Sequence, residues 1–380
     1  MDQSVVGDSG ALHAATRAEA VSASIDAFSS PTLASLFRHS AARHAECPAL
    51  WVDGCFVSYD ELHKLSARIG HGLIGAGYAD GQSRCAILGN RGLIDFAGIL
   101  GALSARCAYV PLNLRHPTRR LAQVMHEANA QALVVDHRHL DQARSLLEAI
   151  PEAILVLLPD TNPVPARAAR MTRHRFLSRD DLSQPNPVDI CTESVEDGAY
   201  LLFTSGSTGV PKGVLVRNRN VTPYIRSVAA RYSPATRDRC TQLFDLTFDL
   251  SVHDMFVCWG AGATLFRVPD KARFAPRDFV RRHDLTTWFS VPSTAATMLG
   301  LRALRPDDLP SLRLALFCGE ALPKRLAVAW AQAAPNAVIE NLYGLTETTI
   351  ALTAFRMPRD DQAMRALPTC WAATIPAWRN

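Results

Sequence analysis

The sequence predicts an α/β fold built from two parallel-sheet subdomains. Three observations carry that expectation. Short apolar runs rich in Val, Ile and Leu alternate with longer amphipathic stretches, the pattern of strands joined by crossover helices. A proline-rich interval at 159–197 interrupts the alternation, which then resumes. The chain has 380 residues, 48% hydrophobic and 20% charged. That length fits two or three subdomains, and that composition excludes global disorder and a collagen-like chain.

Residues 1–29 are small and polar and read as a loose N-terminal arm. A helix is expected from Ser30-Pro31, a capping residue followed by one suited to the first helical position, with Leu33, Leu36 and Phe37 on one face. Two short strands follow around Trp51 and Phe56. Ser58-Tyr59-Asp60-Glu61 is a capping box that opens a helix reaching about Ala76. Strands at 84–89, 107–111, 132–135 and 154–158 then alternate with helices at 92–105, 117–128 and 139–149. Residues 30–158 thus form a first α/β subdomain, 159–197 a surface connection and 198–358 a second α/β subdomain.

Lys and Arg number 40 and Asp and Glu 36, so the formal net charge of +4 gives no electrostatic case for nucleic acid or an anionic membrane. The nine cysteines are widely spaced and contain no C-x-x-C pair, which fits free thiols in a reducing cytoplasm better than a zinc cluster. The N-terminus carries early acids and no apolar core of a secretory signal. The most apolar stretch, 86–112, is interrupted by Asn90, Arg91, Asp95 and Arg106, so it fits strand–helix–strand and not a membrane span.

The sharpest motif is LLFTSGSTGVPKG at 201–213. After apolar Leu201 to Phe203 come Thr204, Ser205, Gly206, Ser207, Thr208 and Gly209, hydroxyls and unhindered N–H groups that suit a polyphosphate. Lys212 adds a cation. A P-loop would need a Lys-Ser/Thr pair running into a helix. Here Pro211 precedes the lysine, Gly213 follows it, and Val214-Leu215-Val216 reads as a strand, so the loop joins two strands. A G-x-S-x-G elbow is not matched, and a flexible linker rarely sits between two apolar strands.

TSGSTGVPKG resembles the phosphate-binding signature of adenylate-forming enzymes, which include acyl-CoA synthetases, luciferases and the adenylation domains of nonribosomal peptide synthetases. Further segments resemble that family's blocks in the right order. SARCAYVPLNLRHPTRR at 104–120 is similar to the A-Y-V-P block of amino-acid-activating members, with Asn113 and Arg115-His116 as departures. FDLSVHDMF at 248–256, CGEAL at 318–322 and NLYGLTETT at 341–349 resemble three more, with Cys318 for a glycine and Leu345 for a proline. The resemblance covers roughly 30–358 and extends to D-alanine–carrier-protein ligases. It implies the large N-terminal lobe of the acyl-adenylate-forming fold, two βα sheet subdomains plus a small β region.

The resemblance also implies roles. The family joins a carboxylate to the α-phosphorus of ATP, releasing pyrophosphate. The 204–212 loop would hold the β- and γ-phosphates, Glu347 would bind Mg²⁺ and Thr346 would contact the α-phosphate. Tyr343 would stack on adenine, with Asn341, Gly344 and the Gly319, Glu320, Ala321 segment around the base. Asp249 would pair with a substrate ammonium, because a carboxylate among apolar neighbours needs a cation. A helix-capping role for Asp249, and Asp245 as the true match, are the competing readings. The side-chain pocket would comprise Leu250, His253, Ser290, Leu316, Cys318, Leu342, Ile350 and Ala351, which suits a neutral amino acid of modest size; His253 is read as packed wall. The implied partner is a carrier protein bearing phosphopantetheine.

The family's later motifs and C-terminal lid domain are not matched, and 359–380 reads as an aberrant tail. The expectation is therefore a truncated adenylation domain, impaired in catalysis by loss of the lid. Two other functions compete: an acyl- or aryl-CoA synthetase, and a catalytically dead nucleotide-binding or interaction protein.

Overall fold

The computed structural model describes residues 27–183, 192–204, 212–274 and 276–358. The strands in chain order are β1 (Pro48–Val52), β2 (Cys55–Ser58), β3 (Arg84–Gly89), β4 (Ala108–Asn113), β5 (Ala132–Val135), β6 (Leu155–Leu157), β7 (Arg175–Leu177), β8 (Gly198–Thr204), β9 (Lys212–Arg217), β10 (Arg239–Gln242), β11 (Thr264–Arg267), β12 (Thr287–Ser290), β13 (Leu314–Phe317), β14 (Val338–Tyr343) and β15 (Thr353–Arg356). They form two sheets, ordered β7-β6-β5-β3-β4-β8-β9 and β15-β14-β13-β12-β10-β11-β1-β2. Each is parallel inside and antiparallel only at β8–β9, β14–β15 and β1–β2.

The sheets do not divide the chain at the proline-rich interval. β1 and β2 join the sheet otherwise built from β10 to β15, while β8 and β9 complete the sheet begun by β3 to β7. The interval itself contributes β7, paired in parallel with β6, and short helices at Ala166–Ala169 and Arg179–Ser183. A three-residue edge strand is too short for periodicity to reveal. The first long helix is Leu33–Arg43, and its cap is Thr32 instead of Ser30, with the Thr32 hydroxyl accepting from Ser35 N at 3.0 Å. The N-terminal arm through residue 26 and the tail from 359 lie outside the described residues.

Strand alternation sorts the core into three layers. In β3, Cys85 and Ile87 face the space between the sheets, whereas Ala86 and Leu88 face the outer helices Thr118–Glu127 and Leu140–Ala149. Between the sheets lie Leu33–Arg43, Tyr59–Gly75, Leu93–Ser104 and Leu250–Gly260. Leu93–Ser104 is buried all round, as a helix sandwiched on every side must be. Polar tips in this layer bond backbone: Tyr59 Oη donates to Ala263 O at 2.7 Å and Trp259 Nε1 to Ala49 O at 3.1 Å. Among the described residues no helix is long and apolar enough to cross a membrane.

Asp95 opens the sandwiched helix and carries an unusual charge cost. Its Oδ2 accepts from Gly92 N at 2.7 Å, but Oδ1 is buried with no partner. Burial first, and then the neighbouring Asp136, raise its pKa to about 7. A raised carboxyl contributes stability that is present below the unfolded value and lost as pH climbs through the folded value. Asp95→Asn is therefore expected to gain stability relative to the parent between about pH 4 and 7, at up to about 1.4 kcal/mol per pH unit. Urea unfolding of both proteins across that range checks this, and a difference that stays flat would refute it.

Candidate active site

The C-terminal ends of the parallel strands of both sheets border one crevice, where open α/β sheets place their ligands. Thr204 ends β8 and pairs with Lys212, which begins β9, so the hydroxyl–glycine loop closes a hairpin as its flanking apolar strands imply. Ser205, Gly206, Ser207, Thr208 and Gly209 lie outside the described residues. Strand β9 lies against the turn Thr346–Thr348, which carries Thr346 and Glu347. Glu347 is exposed and makes no ion pair with a described residue, so its carboxylate is available to a cation.

On the other sheet, register aligns Ser290 with Phe317 and Phe317 with Asn341 across β12, β13 and β14. The loops that leave these strands carry the remaining predicted residues. Tyr343 is 51% exposed, presenting a ring face to solvent, while Asn341 is buried behind it. Gly319, Glu320 and Ala321 are exposed. Gly319 adopts φ +88, which favours glycine. The carboxylate of Glu320 accepts from Ser293 N and Ser293 Oγ, both at 2.9 Å, so its visible task is to satisfy the start of helix Pro292–Gly300.

Asp249 occupies the N-cap position of helix Leu250–Gly260 but makes no side-chain capping bond. Its Oδ2 instead accepts from Ile350 N at 3.2 Å, across the crevice, and Thr346 is a further polar neighbour that favours its charged form. Asp249 is 6% exposed, and burial raises its pKa against the pull of these bonds. Asp245 lies elsewhere: it accepts from Asn113 Nδ2 at 2.7 Å and from Thr247. Of the two acids, Asp249 is the one against the Thr346–Ile350 segment.

The backbone that reaches Asp249 is strained. Thr349 and Ile350 hold φ of +67 and +66 in succession, and for β-branched residues this is a true outlier. Such conformations persist only where the surroundings enforce them. Here Gly344 packs so tightly on the segment that an added Cβ would stand 2.4 Å from Ala351 Cα.

Leu250, Leu316, Cys318, Leu342, Ile350 and Ala351 are all buried in the large core between the sheets, with Leu250 next to Asp249 in the chain and Ile350 bonded to it. Ser290 is buried too, its hydroxyl accepting from Trp288 Nε1 at 2.9 Å and donating to Val291 O at 3.0 Å. His253 is packed wall: its ring lies 4.5 Å from that of Phe289 and its Nδ1 is 2.7 Å from Tyr224 Oη. Burial drives its pKa down to about 3, so it is neutral. Sequence reasoning missed Tyr224, and also Tyr109 and Tyr200, which face each other across β4 and β8 with rings 5.9 Å apart and hydroxyls that are buried without a partner. Burial raises both phenols and the charge of Asp249 adds to it. Nothing local in a β-strand tyrosine signals such a position.

The sequence profile described as AMP-binding enzyme matches residues 37–374. The chain belongs to the AMP-binding enzyme family. This AMP-binding protein is 30% identical over 333 residues to the L-proline–[L-prolyl-carrier protein] ligase of Pseudomonas fluorescens, covering 87% of this chain and 64% of that protein. It is 28% identical over 324 residues to the D-alanine–D-alanyl carrier protein ligase of Listeria welshimeri, covering 83% and 59%. Among solved structures, the Vibrio cholerae adenylation domain AlmE in complex with glycyl-adenosine-5'-phosphate superposes with a TM-score of 0.78 at 33% identity, covering 86% of this chain and 62% of that one. The AMP-binding chain thus spans less than two thirds of the length of these relatives, and its fold is that of the N-terminal lobe of adenylation domains.

The close approach at Gly344 yields a direct test. Gly344→Ala is expected to lower stability by about 1–3 kcal/mol through overpacking against backbone. In urea this reads as a lower midpoint at unchanged slope, and an unchanged midpoint would contradict the approach.

Proposed function

We propose that this chain activates an amino acid with ATP, forming an aminoacyl-adenylate and pyrophosphate, for later transfer to the phosphopantetheine thiol of a carrier protein. The observation that carries the reading is Asp249, a carboxylate 6% exposed that accepts from a neutral backbone donor, Ile350 N, at 3.2 Å. Burying such a charge is costly unless a cation meets it, and the α-ammonium of an amino acid is that cation. A fatty or aryl acid brings no ammonium, so the same carboxylate disfavours a CoA ligase of simple acids. The carrier-protein ligases among the relatives support the same direction.

In this reading the substrate carboxylate attacks the α-phosphorus of ATP. A carbonyl–oxygen–phosphorus link forms as the bond to the β-phosphate bridging oxygen breaks, and pyrophosphate takes the electron pair. The work of the protein is positioning and charge neutralisation. Asp249 anchors the ammonium, and the pocket of Leu316, Leu342, Ile350 and Ala351 takes a small neutral side chain. The Thr204–Lys212 hairpin holds the β- and γ-phosphates, and Tyr343 stacks on adenine. Glu347, an exposed carboxylate beside the hairpin, fits Mg²⁺, which typically takes one or two protein carboxylates and neutralises phosphate charge when bound. Thr346, on the turn that follows β14, contacts the α-phosphate.

Isotope exchange between ATP and pyrophosphate across a panel of amino acids tests the reading, with exchange expected for one or a few small neutral ones. Stimulation by fatty or aryl acids alone would overturn it. Asp249→Asn sharpens the test, because a site residue kept at a stability cost behaves oppositely to a structural one. The variant keeps an acceptor for Ile350 N and loses the buried charge. It is expected to be more stable without substrate by about 1–3 kcal/mol above the raised carboxyl pKa, while amino-acid-dependent exchange falls at least about 100-fold. Loss of both stability and exchange would mark Asp249 as structural.

A further inference from the structure

A group of arginines lies where the two sheets meet, next to the base of the hairpin. Asp270, in the turn after β11, is approached by Arg91 at 2.6 Å, Arg267 at 3.5 Å, Arg115 at 3.7 Å and Arg273 at 3.7 Å, with Asn90 Nδ2 at 2.7 Å. Other acids do little to offset this. Asp53 touches Arg267 at 3.9 Å but is held by Arg138 at 2.8 Å, and Arg138 also pairs with Asp136. Asp245 is engaged by the neutral donors of Asn113 and Thr247. Asp254 and Asp95 also lie within electrostatic reach of Arg91 and Arg138, but burial raises both carboxyls and so reduces the negative charge they hold.

The arginines divide by task. Arg91 is 1% exposed and spends its donors on Gln242 O, Gln242 Oε1, Val268 O and Asp270, which pins one sheet to the other. Arg267 donates to Asn90 O at 3.1 Å across the same seam. Arg115 and Arg273 differ. Each stands outside hydrogen-bond distance of Asp270, and their side chains are 62% and 25% exposed. Both therefore keep forked donors in a region of excess positive charge.

Their place in the fold selects the ligand. Arg115 follows the end of β4, and β4 lies beside β8 with Tyr109 opposite Tyr200. Continuing that parallel register brings Asn113 level with Thr204, where the hairpin begins. Asn113 in turn touches Asp245, whose charge reaches Arg273. Resting on the reading of the hairpin as a phosphate site, we propose that Arg115 and Arg273 form a diphosphate-binding group, which grips the β,γ end of ATP and the pyrophosphate that leaves. Two planar guanidinium forks suit the adjacent phosphoryl groups of a diphosphate, each able to take a bidentate pair of oxygens. Both arginines pair with Asp270 after β11, and Asp249 belongs to the cap of helix Leu250–Gly260, so the group is assigned to the phosphate end and not to the amino acid.

Calorimetric titration of ATP, pyrophosphate and AMP into the full chain tests this. Arg115→Ala is expected to weaken ATP and pyrophosphate about three- to tenfold while AMP stays within about twofold, and Arg115→Glu should weaken the first two further. Arg115→Lys, which keeps the charge, should recover part of the loss, and raising salt should shrink every difference. Arg115 is exposed, so these variants are expected to fold; Arg273→Lys is the second arm. Equal weakening of AMP, or unchanged pyrophosphate affinity in a parent that binds ATP and AMP, overturns the arginine group and leaves the adenylation reading standing. Arginine-dependent pyrophosphate binding in a parent that binds neither ATP nor AMP overturns adenylation and leaves the diphosphate group standing.

Discussion

The arrangement depends on one contact: the carboxylate of Asp249 accepting from Ile350 N at 3.2 Å. It ties the start of helix Leu250–Gly260 to the segment that follows β14. Holding it is not free. Asp249 is desolvated, and Thr349 and Ile350 both sit at positive φ. A chain selected for stability alone would relax both features. Together they identify a place where fold energy is diverted to keep a negative charge dry and aimed. A water-filled pocket would screen that charge and weaken its hold on a cation.

The sheet topology explains why such a contact has the hairpin of β8 and β9 on the opposite sheet. β8 and β9 come late in the chain but complete the sheet of β3 to β7, while β1 and β2 come early and complete the other. This exchange of strands locks the two sheets about a shared helical layer, and the locking is visible in Arg91, which spans the seam with four acceptors. The hairpin is thereby carried by one sheet and the Asp249 pocket by the other.

Much of this was legible in the sequence, for identifiable reasons. The hairpin could be read because its evidence is local: two apolar runs, a glycine–hydroxyl string and a Pro-Lys-Gly exit within thirteen consecutive residues. The Ser58–Glu61 capping box is likewise local, and its reciprocal bonds at 3.2 and 2.8 Å are present. The Asp249–Ile350 bond joins residues 101 apart, and only the order of motifs hinted that they meet. Strand β7 was not legible, since three residues in a proline-rich run carry no period. The exchange of strands between sheets was not legible either, because pairing partners are set by packing across the whole core and not by neighbours in the chain. Glu320 shows the reverse hazard: a motif position expected near adenine spends its carboxylate on Ser293.

The departures from the family pattern are informative in the same way. The A-Y-V-P block usually continues with an aspartate where this chain has Asn113. Asn113 Nδ2 donates to Asp245 at 2.7 Å. A carboxylate at 113 would face a second carboxylate at contact distance, and such a pair cannot share a site with both members ionised. Asn113 and Asp245 therefore make sense as a pair: the amide supplies a neutral donor where the acid would supply repulsion. The two aspartates of FDLTFDLS then have separate tasks. Asp245 is satisfied by Asn113 and Thr247 and braces the end of β4, where Arg115 follows. Asp249, four residues on, is buried and accepts from Ile350 N of the 346–350 segment. A near-repeat in sequence thus resolves into one acid that braces the end of β4 and one that ties the start of helix Leu250–Gly260 to the segment after β14, and what separates them is the partner each meets, which the motif alone does not encode.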